Sequence, residues 1–110
     1  MSETPEPLRG IRTLVAQERY RIRIHAVRHM IKEGFSESDI VEVLRSGQLL
    51  ENYGEEARCV LVGSFAISGQ SVSPLHVLCD YSNDNAVDIV TAYIPQKPWW
   101  QTETKRGRIQ

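Results

Sequence analysis

The feature that most constrains this chain is a change of hydrophobic period near residue 48. Before it, apolar residues recur every three or four positions; after it they alternate, with β-branched residues prominent. The two repeats demand different elements, because one helix face gathers positions i, i+3 and i+4 whereas one strand face gathers i and i+2. The chain is therefore predicted to be α+β, with N-terminal helices packed on one face of a four- to five-stranded, mainly antiparallel sheet. Its 110 residues, 41% of them apolar, suffice for one core and not for two.

Within that frame, residues 1–7 read as a disordered start and residues 8–19 as an accessory helix, with Leu8, Ile11, Leu14 and Val15 on its apolar face. Residues 20–24 alternate strictly, which predicts a short strand with Tyr20, Ile22 and Ile24 on one side and Arg21 and Arg23 on the other. Residues 25–33 return to helical spacing. Ala26, Val27, Met30 and Ile31 form the predicted core stripe, opposite a basic face of His25, Arg28, His29 and Lys32. Gly34 suits the position just past that helix, and Ser36 with Asp39 reads as a capping box opening a third helix. That helix is predicted to bury Ile40, Val41 and Leu44 and to close at Gly47. Strands follow at 49–53, 57–66, 75–81 and 86–94, with a tight turn at 82–85 and a longer connection at 68–71. A basic tail, 97–110, carries Trp99 and Trp100, which are expected to cover the sheet edge.

The formal net charge of −1 conceals a strong segregation. Residues 1–33 hold seven Lys/Arg against four acids, residues 34–96 hold two against nine, and the tail holds four against one. Such segregation predicts a basic surface opposite an acidic one if the termini converge. No apolar run approaches the roughly 20 residues of a membrane span, and the acidic, proline-bearing start is no secretory leader. A cytoplasmic, non-membrane protein is expected. Cys59 and Cys79 lie in apolar runs and read as buried thiols. His25 and His29 stand at i, i+4, but no His-Glu-x-x-His arrangement or third ligand accompanies them, so neither metal nor other cofactor is expected.

Several pieces now combine in order: His25-Ala26 opening a helix, Met30, Gly34-Phe35-Ser36, Asp39-Ile40-Val41, Gly47, Glu51 with Tyr53, Pro74 to Val77, and Thr91 to Pro95. Over about residues 20–96 this order resembles the DUF4258 family. The resemblance implies the fold of barnase, EndoU, colicin and RelE-type RNA-cleaving toxins, and a partner antitoxin protein. The family commonly has arginines where this chain has His29 and Glu33, so its basic helix face is weaker here.

Metal-independent RNA cleavage by 2′-hydroxyl attack needs a base, an acid for the leaving oxygen, and cations for the phosphorane charge. His25 and His29 with Arg28 suit those roles on the second helix, and Arg58, His76 and Tyr93 suit them on strands, if all line one concave sheet face. Arg21, Arg23, Lys32 and Lys97 are the expected RNA-binding residues. The leading expectation is a toxin-like endoribonuclease acting on RNA, including ribosome-bound mRNA. The alternative is a non-catalytic RNA- or protein-binding module of the same fold. Each residue also has a plainer role: a helix cap for His25, a sheet histidine for His76, an ion pair with Glu51 for Arg58. A homodimer through an exposed strand at 49–53 is a third possibility.

Overall fold

The computed structural model describes residues 6–69 and 71–95, and the backbone of 100–102 and 105–106. Helix α1, Leu8–Ala16, turns Leu8, Ile11 and Val15 inward, each no more than 4% exposed. It ends three residues before the predicted boundary, because Glu18 adopts a left-handed φ of 59° and Arg19 N–H returns to the Leu14 carbonyl at 2.8 Å. Nor is α1 an accessory in the packing sense: those three side chains belong to the central core cluster. Arg12 ties the helix down further, donating to the carbonyls of Leu44 at 3.2 Å and Gly47 at 2.6 Å.

Strand β1, Tyr20–Ile22, is three residues long rather than five. Arg23 already serves as the N-terminal flank of α2, Ile24–Glu33, so Ile24 leaves the strand and stands 58% exposed instead of pointing inward. The predicted stripe on α2 is also rotated. Ala26 is fully buried and Met30 packs on the core, but Ile31 is 80% exposed. The cause is a clamp on the neighbouring side of the helix: the Glu33 carboxylate accepts the Ile94 backbone N–H at 2.8 Å. Gly34, at φ 86°, closes α2 in the left-handed conformation open to glycine.

The capping box forms as expected at the start of α3, Glu37–Ser46. Ser36 Oγ accepts from Asp39 N–H at 3.2 Å and Asp39 accepts from Ser36 N–H at 2.8 Å. Such caps contribute about 0.5–2 kcal/mol. The buried residues are Ile40, Val43 and Leu44, with Val41 only partly covered. Val43 takes the inward place because Gly63 lies beneath it, where a Cβ would come within 2.9 Å of Val43 Cγ2.

The predicted meander is present as β2, Gln48–Tyr53; β3, Arg58–Ser68; β4, Ser71–Asp80; and β5, Val87–Tyr93. The five-stranded sheet has the order β1-β5-β4-β3-β2, antiparallel except that β1 runs parallel to β5. β3 and β4 pair as far as Ser68 with Ser71 rather than being joined by a longer connection, and β4 extends back through Pro74. Proline is tolerated there because β5 pairs with β4 only from His76 onward, leaving Pro74 without a neighbour on that side. A separate two-stranded ladder joins β6, Trp100–Thr102, to β7, Lys105–Arg106.

Alternation along the strands separates the two sheet faces. One face carries Cys59, Leu61, Phe65, Leu75, Val77, Cys79, Ile89 and Ala92, all buried in the cluster shared with the three helices. On the far face, cross-strand register aligns Arg58 with Asp80, Val62 with His76, and His76 with Tyr93.

Candidate nucleic-acid interface

The sequence-derived site residues do not assemble on one surface. α2 packs against β5 through Ala26, on the core face, whereas Arg58, His76 and Tyr93 alternate onto the far face. The sheet therefore stands between the α2 histidines and the strand candidates. The reason is the period-two alternation itself, which turns His76 and Tyr93 away from the helices that Val77 and Ala92 face.

On the far face, His76 is fully buried, and its ring lies 5.4 Å from that of Tyr93. As placed, it has no direct access to a substrate in solvent. Arg58 donates to Asp80 at 3.2 Å rather than to Glu51, which instead accepts from Tyr53 Oη at 2.6 Å. Asp80 is held below the usual carboxylate range chiefly by Ser82, whose hydroxyl and N–H both donate to it, and then by Arg58. Because this carboxyl is depressed, its contribution to stability is present above the ordinary aspartate value of about 3.9. It is lost as pH falls through the lower folded-state value. Arg58 and Asp80 thus organise the turn after β4.

At the sheet edge, two predicted RNA-binding residues meet on one acid. Arg21 Nε donates to Asp88 Oδ1 at 2.8 Å and Arg23 Nη2 to Asp88 Oδ2 at 2.9 Å. The Asp88 side chain is only 12% exposed, while the two arginine side chains remain about 60% exposed. One carboxylate fixes two arginines, so the cluster keeps a net positive charge and unspent N–H donors facing solvent. Sequence reasoning missed Asp88, which lies 67 and 65 residues from its partners. Only its acidic character in an otherwise apolar strand hinted at it.

The chain passes directly from this edge into α2. His25, Arg28 and Lys32 are exposed along its outer side, and among the described residues none of the three holds an ion pair or hydrogen bond. From His25 to Lys32 the ridge runs about 10 Å at 1.5 Å per helical residue. His29 departs from this group: its Nδ1 pairs with Glu33 Oε2, and the other Glu33 oxygen holds Ile94. Glu33 is thus a strut between α2 and the end of β5. Replacing Glu33 with alanine is expected to lower unfolding free energy by about 1–3 kcal/mol, the cost of stranding a part-buried N–H. Urea denaturation monitored by circular dichroism checks this, and an unchanged midpoint would discard the strut.

Lys97 lies outside the described residues, as does Trp99. The described residues contain no cluster of three or more metal-ligating side chains and no helix long and apolar enough to cross a membrane. A surface cleft of about 680 Å3 opens elsewhere, between α1 and the Asn52–Tyr81 pair, and none of the candidate residues lines it. The exposed cations of β1 and α2 are therefore the best-formed candidate site.

A family model described as Domain of unknown function (DUF4258) covers residues 22–94, more than half of the chain. No curated protein and no solved structure matches.

Proposed function

We propose that this chain, which belongs to the DUF4258 family, is an RNA-binding module that grips single-stranded RNA by its phosphates. The observation that carries the reading is a set of exposed cations: Arg21 and Arg23, gathered by Asp88 at the sheet edge, and His25, Arg28 and Lys32, which form a ridge along α2. The clamped arginines are pre-ordered by Asp88, so binding costs them little side-chain entropy. Arg28 and Lys32 supply mobile charge. Such contacts are sequence-tolerant and salt-dependent, with a slope of log affinity against log salt of about −0.7 per phosphate neutralised on a single strand.

Fluorescence anisotropy with a labelled single-stranded RNA tests this. The Arg28→Glu/Lys32→Glu variant is expected to bind at least about tenfold more weakly and with a salt slope shallower by roughly one or more. Arg58→Ala, which leaves α2 untouched and removes a guanidinium already held by Asp80, is expected to bind like the parent. Affinity that is equal in all three proteins would reject the ridge.

A second reading, metal-independent endoribonuclease activity of the RelE type, is favoured by one observation: His25 lies exposed beside Arg28 on the ridge. A phosphate held by Arg28 would then lie within reach of an imidazole able to exchange the 2′-hydroxyl proton. Incubation with the same RNA in EDTA decides it. Cleavage abolished by His25→Ala supports catalysis, and intact RNA in the presence of measurable binding leaves the module non-catalytic on free RNA.

A further inference from the structure

Cys59 and Cys79 play no part in the ridge, yet their placement is specific. They are directly opposed across the β3–β4 ladder, on the core face, and neither is exposed to solvent. We propose that Cys59 and Cys79 are a reversible dithiol–disulfide modification site inside the core, closed by small peroxide-class oxidants.

Directly opposed antiparallel residues place their Cβ atoms about 4.5–5.5 Å apart, and a disulfide needs about 3.5–4.5 Å. Closure thus requires an approach of about 1 Å. The ladder has slack at that point, because the register between β4 and β5 shifts between Leu78 and Cys79. The opposed thiols also perturb each other: hydrogen bonding between them lowers Cys59 from the usual thiol range, and the same interaction, with burial, pushes Cys79 up. Of the pair, Cys59 is the sulfur that gives up its proton the more readily. Leu61 follows Cys59 on the core face of β3, Val77 precedes Cys79 on that of β4 and Ile89 pairs with Cys79, and all three are fully buried. That setting restricts entry to a small neutral oxidant during local opening.

The chemistry balances with hydrogen peroxide as the oxidant. The Cys59 thiolate attacks one peroxide oxygen, the O–O bond breaks, and the departing hydroxide takes a proton to become water, leaving a sulfenic acid. The Cys79 sulfur then attacks the Cys59 sulfur, the S–O bond breaks, the S–S bond forms, and a second water leaves with the Cys79 proton. Two thiols lose two electrons and two protons, and one peroxide becomes two waters. A thiol reductant reverses the bond by exchange.

The test exposes the reduced, full-length protein to hydrogen peroxide without denaturant, quenches it, then unfolds and alkylates it with iodoacetamide for intact mass measurement. The expected product is a monomer lighter by two hydrogens, bearing no alkyl group, with unchanged far-ultraviolet circular dichroism. Dithiothreitol should restore two alkylatable thiols. In Cys79→Ser, Cys59 should accumulate as a sulfenic acid that dimedone traps. Two fully alkylated cysteines after an exposure that oxidises a free thiol peptide to completion would overturn the proposal. So would a disulfide that appears only in urea or only between molecules. Both decisive readings come from the native sequence, so a variant that fails to fold does not obscure the result.

Discussion

A chain beginning at Arg19, and so lacking α1, is expected to lose cooperative unfolding altogether. The family match begins only at residue 22, which would make the first helix look expendable. The packing says otherwise. Leu8, Ile11 and Val15 are 3%, 1% and 4% exposed and lie in the same cluster as Leu44, Leu61 and Ile89. Burying a side chain of this kind stabilises by about 1.5–3 kcal/mol, and their joint removal therefore costs roughly 5–9 kcal/mol. Domains of this size are stable by only about 5–15 kcal/mol. The deletion also withdraws Arg12 from the Leu44 and Gly47 carbonyls at the end of α3. Urea titration of both chains, with a dye that reports exposed apolar surface, should give a sigmoidal transition for the full chain and a broad, dye-binding ensemble for the truncation. A sharp transition near the parental midpoint would return α1 to accessory status.

The second large effect is expected from one methyl group. Gly47 joins α3 to β2 with φ −75°, a conformation any residue can adopt, so its identity is not set by backbone freedom. It is set by space. A Cβ there would stand 2.5 Å from the Val43 carbonyl oxygen and 2.7 Å from that of Val62. Both obstacles are backbone atoms, one in the last turn of α3 and one in the central part of β3. Neither can swing aside as a side chain would. Gly47→Ala should therefore push α3 away from the sheet, at a cost near the upper end of the 1–3 kcal/mol typical of overpacking, about 3 kcal/mol. Gly34→Ala, where nothing lies within 4 Å but φ is 86°, is expected to cost less. Equal or reversed costs in denaturant titration would show that α3 tolerates the displacement.

Local chemistry was legible in the sequence wherever a short-range rule governs the backbone. The change of period at residue 48, the Ser36–Asp39 cap, Gly34 and the turn at 82–85 each act over a few residues, and each is found in place. The errors occur where a distant partner overrides the local pattern. Ile31 matches the inward stripe by spacing, yet α2 is rotated by a carboxylate binding a backbone N–H 61 residues away, and Ile24 continues the strand alternation, yet the chain has already turned into α2. The parallel pairing of β1 with β5 has no short-range signature. Likewise, Arg21 and Arg23 were readable as cations, but not as a pair sharing Asp88. The strand histidine was readable as chemistry and not as buried, because a period-two pattern tells which residues share a face and not what covers that face. For the same reason the sequence could name His25, Arg28, His76 and Tyr93 without revealing that a sheet separates them.

The parallel edge strand has a further consequence, for the order in which the molecule is made. β2 to β5 are successive neighbours, so their pairings can form by short hairpin closures. β1 can pair only with β5, at a separation of 67 residues between Arg21 and Asp88, and must wait until that template exists. The Arg21–Asp88–Arg23 cluster is thus the last part of the sheet to be completed. A nascent chain with its meander formed but its edge strand undocked carries the same two arginines without the acid that gathers them, so their pairing is a property of the finished fold.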